Sequence, residues 1–232
     1  MVLFWVAILA IAILLYVLLD GFDLGVGMLF GLTRSEANRR AMLSAVAPVW
    51  DGNETWLVVT AVVLWAAFPP VYATVTSAFY LPVIVMLAGL ILRGVAFELR
   101  GKAERGRWIW DASFAGGSLL ASFIQGLLVG ALVQGLPIVN GHYVGGMFGW
   151  LSPFAVLCGI GLCLGYSLLG ACWLVRKCEG EVREAAYRLI PYLSLGLLGF
   201  LVAAHFDVSL REACHALRRT WLELESAVIG VD

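Results

Sequence analysis

Trp50-Asp51-Gly52-Asn53-Glu54-Thr55-Trp56 sets two carboxylates and an amide between tryptophans, at the front of an apolar run that reaches Phe68. A charged side chain at the centre of a bilayer costs about 2.5–3.5 kcal/mol on insertion scales. Charges kept inside such a run are therefore functional candidates by default. Asp51 and Glu54 are three residues apart, which places both carboxyls on one face of a helix. The rest of the sequence is read by asking what faces that acid pair.

The surroundings of the stretch fix the class. Of 232 residues, 62% are hydrophobic and only 13% charged, with a mean hydropathy of +0.93. Soluble domains carry roughly a quarter charged residues, so the chain reads as an all-α, polytopic membrane protein. A formal net charge of -1 offers no basic surface to nucleic acid. The cysteines Cys158, Cys163, Cys172, Cys178 and Cys214 lack metal-type spacing, and Cys158, Cys163 and Cys172 lie in apolar sequence, where Cys behaves as a small hydrophobe. Met1 to Trp5 contains no Lys or Arg, and the apolar run continues far past a signal-peptide core, so it reads as a first membrane span.

A span needs about 20 mostly apolar residues, and six stretches qualify: Val2 to Phe30, Leu43 to Phe68, Val71 to Phe97, Ile109 to Val133, Phe148 to Val175 and Leu189 to Ala204. Pro69-Pro70 stops the second, because proline cannot continue a helix. Long apolar runs without alternation exclude a barrel, leaving helices as the structure that satisfies its own backbone in lipid. The expected architecture is a bundle over 1–204, with a four-helix unit at 1–134, a partial second unit at 148–204, and a polar tail at 205–232. In that tail Leu210, Ala213, Leu217 and Trp221 recur at helical spacing. Small residues four apart (Gly21/Gly25, Gly27/Gly31, Gly126/Gly130, Gly161/Gly165) allow close helix approach.

Loop charge orients the bundle. Arg34, Arg39 and Arg40 fall in the first loop, Arg100, Lys102, Arg105 and Arg107 in the third, and Arg176, Lys177, Arg183 and Arg188 in the fifth. The intervening loops have no Lys or Arg. Cytoplasmic loops attract positive charge, so the N-terminus is expected outside, as is the tail.

With that topology, Asp20 and Asp23 of span one, Asp51 and Glu54 of span two, and Arg93 and Glu98 of span three converge on one side of the bilayer. Buried carboxyls then outnumber buried cations, so at least one can hold a proton. That suits a proton relay open to the cytoplasm; locking of three helices by charge pairs is the bland alternative. In Asp20-Gly21-Phe22-Asp23 the acids could also shape a helix break or a cap. The only histidines, His142, His205 and His215, lie outside the spans, so no haem ligand is evident. Neither a metal site nor a hydrolytic centre is expected.

Leu19-Asp20-Gly21-Phe22-Asp23-Leu24-Gly25-Val26-Gly27, followed by Pro48-Val49-Trp50-Asp51-Gly52-Asn53-Glu54-Thr55-Trp56, resembles subunit II of the cytochrome bd quinol oxidases. Tyr80, Arg93 and Phe97-Glu98-Leu99-Arg100 fit the same pattern, and Asn53-Glu54-Thr55 resembles the cyanide-insensitive branch. The resemblance implies a multi-pass subunit of a heterodimer in the bacterial inner membrane that oxidises quinol and reduces oxygen to water. Haem b, haem d and the quinol site would belong to subunit I. This chain would bind no haem alone, with quinone a candidate cofactor, and would stabilise its partner. It would have no catalytic residue of its own. The resemblance implies a proton-path role for Asp51 with Arg93 as its neighbour, and extends it to Asp20, Asp23, Glu54 and Glu98. Trp50, Gly52, Asn53 and Trp56 complete the motif. Family members have nine spans, so the chain reads as shortened at its C-terminus: a fragment, a frameshifted product or a truncated form. A proton-coupled transporter and a purely structural subunit are the rival readings.

Overall fold

The computed structural model describes residues 1–103, 105–140 and 142–229, with side chains described to residue 209. The described residues are mostly helical: α1 (Val2–Leu32), α2 (Glu36–Val46), α3 (Trp50–Ala67), α4 (Pro69–Ala78), α5 (Tyr80–Arg100), α6 (Arg107–Gln134), α7 (Pro153–Lys177) and α8 (Gly180–Ile229). A short antiparallel pair, β1 (Ile138–Val139) and β2 (His142–Tyr143), interrupts the loop between α6 and α7.

Among the described residues, five helices are long and apolar enough to cross a membrane: α1, α5, α6, α7 and residues Gly180–Ser209 of α8. Six spans were expected, and the difference lies in the second. The run from Leu43 to Phe68 is cut at residues 47–49, where α2 ends and α3 begins. Pro48 explains the cut: it has no N–H to give and disfavours helical geometry in the residue before it. The remaining α3 has 18 residues and carries Asp51, Asn53 and Glu54 in its first turns. The third expected span is likewise split at Phe79 into α4 and α5, with Pro82 in the first turn of α5. The sixth begins earlier than its hydropathy suggests and continues as one helix through the polar residues after Ala204. The expected face of Leu210, Ala213, Leu217 and Trp221, with Cys214 and His215, lies outside the described side chains.

Helix α1 is the axis, packing against α3, α6 and α7, while α5 packs on α6 and α8 on α7. Glycines set the closest approaches. A Cβ on Gly25 would collide with the Tyr166 carbonyl of α7, and one on Gly27 with the Ser118 hydroxyl of α6. Gly126 and Gly130 give α6 the same access to α7, at Cys158 and Ala155. The core fills around these contacts, with Val26, Phe30, Met42, Phe114 and Leu174 at one level and Leu24, Met86, Leu90, Ile124 and Tyr166 at the next.

Candidate functional site

Two ionic tiers occupy this core, both reached from α1. The deeper one is built on Asp20 and Asp23, which are fully buried, and on Arg93 of α5, which is 1% exposed. Helix α1 passes through Asp20-Gly21-Phe22-Asp23 without a break, so the acids neither cap nor interrupt it. One nitrogen of Arg93 donates to Asp20 Oδ1 at 3.2 Å and to Glu54 Oε2 at 3.4 Å. The Asn53 amide donates to Asp23 Oδ2 at 2.7 Å and to the Leu19 carbonyl at 3.3 Å. Arg93 reaches this depth because Gly89 and Gly117 let α5 and α6 close beside it.

The expected pairing of Arg93 with Asp51 does not form. Arg93 pairs with Asp20 and Glu54, while Asp51 is exposed at the first turn of α3. The reason is rotational. At about 100° per residue, the face turned to α1 is centred between Asn53 and Glu54, and Asp51 lies about 110° away from it. Asp51 and Glu54 share a side of the helix only loosely. Glu98 is exposed as well, whereas Trp50 packs its ring on Phe97 with centroids 5.0 Å apart. Gly52 has open space beside it, and Trp56 is partly buried.

Three carboxylates thus face one guanidinium, a formal charge of -2 if all are ionised. Asp20 Oδ2, Asp23 Oδ1 and Arg93 Nε have no hydrogen-bond partner although all three atoms are buried. A buried polar atom left unpaired costs about 1–3 kcal/mol, so this tier is held at a cost in stability. Beyond Asp20 the polar chain continues where the sequence reading did not look. The Tyr16 hydroxyl interacts with Asp20, Gln125 of α6 donates to the Tyr16 oxygen at 2.6 Å, and Tyr166 of α7 donates to the Gln125 carbonyl oxygen at 3.0 Å. The available signal was Gln125 itself, an amide within an apolar run, together with Ser118 and Ser122 on the same helix.

The second tier was also missed: Glu36 read as an ordinary loop residue, and Asp111, at the start of the expected fourth span, was not singled out. Arg100 forks both oxygens of Glu36, at 3.2 and 2.7 Å, and bonds Asp111 through Nε. Arg39 reaches the other Asp111 oxygen at 2.7 Å. Phe30 of α1 lies between these cations, with the Arg39 and Arg100 guanidiniums 5.2 and 5.4 Å from its ring centre. Arg100 hydrogen bonding holds the Glu36 carboxyl below its ordinary range.

His142 and His205 are exposed. Among the described residues no group of three or more His, Cys, Asp or Glu could hold a metal ion.

The family model for cytochrome bd terminal oxidase subunit II matches residues 1–230. Cytochrome bd-I ubiquinol oxidase subunit 2 of Escherichia coli (strain K12) is 37% identical over 187 residues, covering 77% of this chain and 49% of the relative. Cytochrome bd ubiquinol oxidase subunit 2 of Bacillus subtilis (strain 168) is 31% identical over 235 aligned positions, 98% of this chain and 68% of the relative. A probable cytochrome oxidase subunit 2 of Haemophilus influenzae is 35% identical over 211, covering 86% and 55%. The chain therefore spans about half the length of the Escherichia coli relative it matches.

Proposed function

The chain belongs to the cytochrome bd terminal oxidase subunit II family, and from that premise we propose that it is the haem-free member of a quinol-oxidising, oxygen-reducing complex in the bacterial inner membrane. Its partner is subunit I, which holds haem b, haem d and the quinol site and which this chain stabilises. The haems supply the oxygen chemistry; the residues here handle protons on the way to it. The N-terminus faces outward and the Arg-rich loops face the cytoplasm. In support, Glu36, Arg39, Arg100 and Asp111 gather at one end of the bundle.

The observation that carries the reading is the deep tier, where three carboxylates answer one guanidinium and two buried carboxylate oxygens lack a partner. Asp51, exposed one turn below Glu54, takes protons from the aqueous side. Glu54, with 29% of its side chain exposed, passes them to the buried acids around Arg93. Glu98, exposed on α5, adds negative charge at the same mouth. Helix α1, the span whose sequence hinted at the discontinuity that a transporter calls for, is unbroken.

The test is Glu54→Gln in the purified complex, with Asp51→Asn beside it. Both changes keep shape and hydrogen bonding but cannot carry a proton. Oxygen consumption should fall at least tenfold for Glu54→Gln, and less for Asp51→Asn because the mouth is exposed, with haem absorption unchanged in both. Unchanged turnover in Glu54→Gln would remove this acid from the path. A colourless preparation from the unaltered chain would overturn the oxidase reading itself.

A further inference from the structure

A groove of about 410 Å³ opens beside the second tier, the rim tier of Glu36, Arg39, Arg100 and Asp111, between α2 and the C-terminal end of α5. Glu36, Arg40, Arg100 and Arg107 line its polar side, and Leu43, Ala47 and Phe97 its apolar side. The charges around it do not balance. Among the described residues, Arg39, Arg40, Arg100 and Arg107 share Glu36 and Asp111, a formal surplus of two positive charges. Geometry localises that surplus. Arg100 takes both Glu36 oxygens, so Arg40 and Arg107 stay at 3.9 and 3.8 Å from that carboxylate, at ion-pair distance without a hydrogen bond to it. Arg107 gives its Nε to the Ala103 carbonyl, and the side chains of Arg40 and Arg107 remain 71% and 50% exposed.

We propose that this groove binds the phosphodiester headgroup of an anionic phospholipid, with Arg40 and Arg107 donating to the phosphate. Its first acyl carbons would lie on Leu43, Ala47 and Phe97. A phosphate accepts forked guanidinium bonds and supplies the missing negative charge. Basic pockets between membrane helices are a recognised place for acidic headgroups.

The experiment uses the purified complex exchanged into vesicles of phosphatidylcholine with one-fifth phosphatidylglycerol, and native mass spectrometry of the lipids that stay bound. The expected result is a bound phosphatidylglycerol-to-phosphatidylcholine ratio on the order of tenfold above that of the vesicles, since each basic residue near a charged surface contributes roughly a factor of five. Arg40→Gln with Arg107→Gln should abolish it. Arg34→Gln with Lys102→Gln removes two exposed charges outside the groove and should leave it intact. Equal loss in both double variants would reduce the effect to general surface charge and overturn the site. So would a lack of enrichment in the unaltered chain. Millimolar inorganic phosphate displacing the lipid from wild-type complex as well as a competing phosphatidylglycerol does would show that the apolar wall contributes nothing, and the lipid assignment would fall.

Discussion

Arg93 is a single guanidinium answering three acids, and its removal should be felt in assembly before it is felt in turnover. Arg93→Gln leaves Asp20 and Asp23 buried without a cation, and breaking a buried pair typically costs about 3–5 kcal/mol. The yield and thermal stability of the complex should fall accordingly. Adding Asp20→Asn should recover most of that loss, because the stranded charge goes with it. A double variant no more stable than Arg93→Gln alone would mean that Asp20 is not its principal partner. The sequence reading found these residues because charges in apolar runs stand out. It chose the wrong partner for Arg93 because pairing depends on how α3 is rotated against α1, and a three-residue spacing still separates two side chains by about 60°. Tyr16 and Tyr166 gave no signal at all, since a tyrosine in an apolar run looks like any other large core residue until its hydroxyl meets Gln125.

At the scale of the helix, the approach of α1 to α7 rests on Gly25 and Gly170. A methyl at Gly25 would run into the Tyr166 backbone carbonyl, which cannot swing aside as a side chain could. Gly25→Ala should lower the melting temperature of the purified chain by several degrees. A residue such as Gly116, with open space around it, tolerates the same change. Docking of α2 has a different dependence. The folded-state value of Glu36 is depressed by Arg100, so its contribution is fully present above the ordinary carboxylate range near 4.3 and is lost as pH falls through the lower folded value. Hydrogen exchange of α2 amides should therefore accelerate on acidification below about pH 4, and Glu36→Gln should remove that acid dependence. Glycine spacing was legible in the sequence as a capacity for close packing, while the partner atom each glycine meets was not. Pro69-Pro70 announced its break. Pro48 did not, because the apolar residues on both sides of it read as one continuous span.

For the molecule as a whole, the arginine-rich loops predict that cysteine probes at Arg105 label only from the cytoplasmic face and probes at Pro70 only from the outside; the reverse pattern would invert the proposed proton route. Membrane class and a helical bundle follow directly from composition and run length. The arrangement around α1 does not, because hydropathy records how apolar a helix is and not which neighbour it meets. That arrangement has a consequence for how the protein can vary. Asp20 belongs to the deep tier and Phe30 to the rim tier, and ten residues of unbroken helix join them, about 15 Å of rigid backbone. One residue inserted or deleted between them would turn one tier by about 100° relative to the other, so that neither Arg93 nor the Arg39–Arg100 pair could be met at once. Between Asp20 and Phe30 the protein is held to a length as firmly as it is held to the identity of its buried residues.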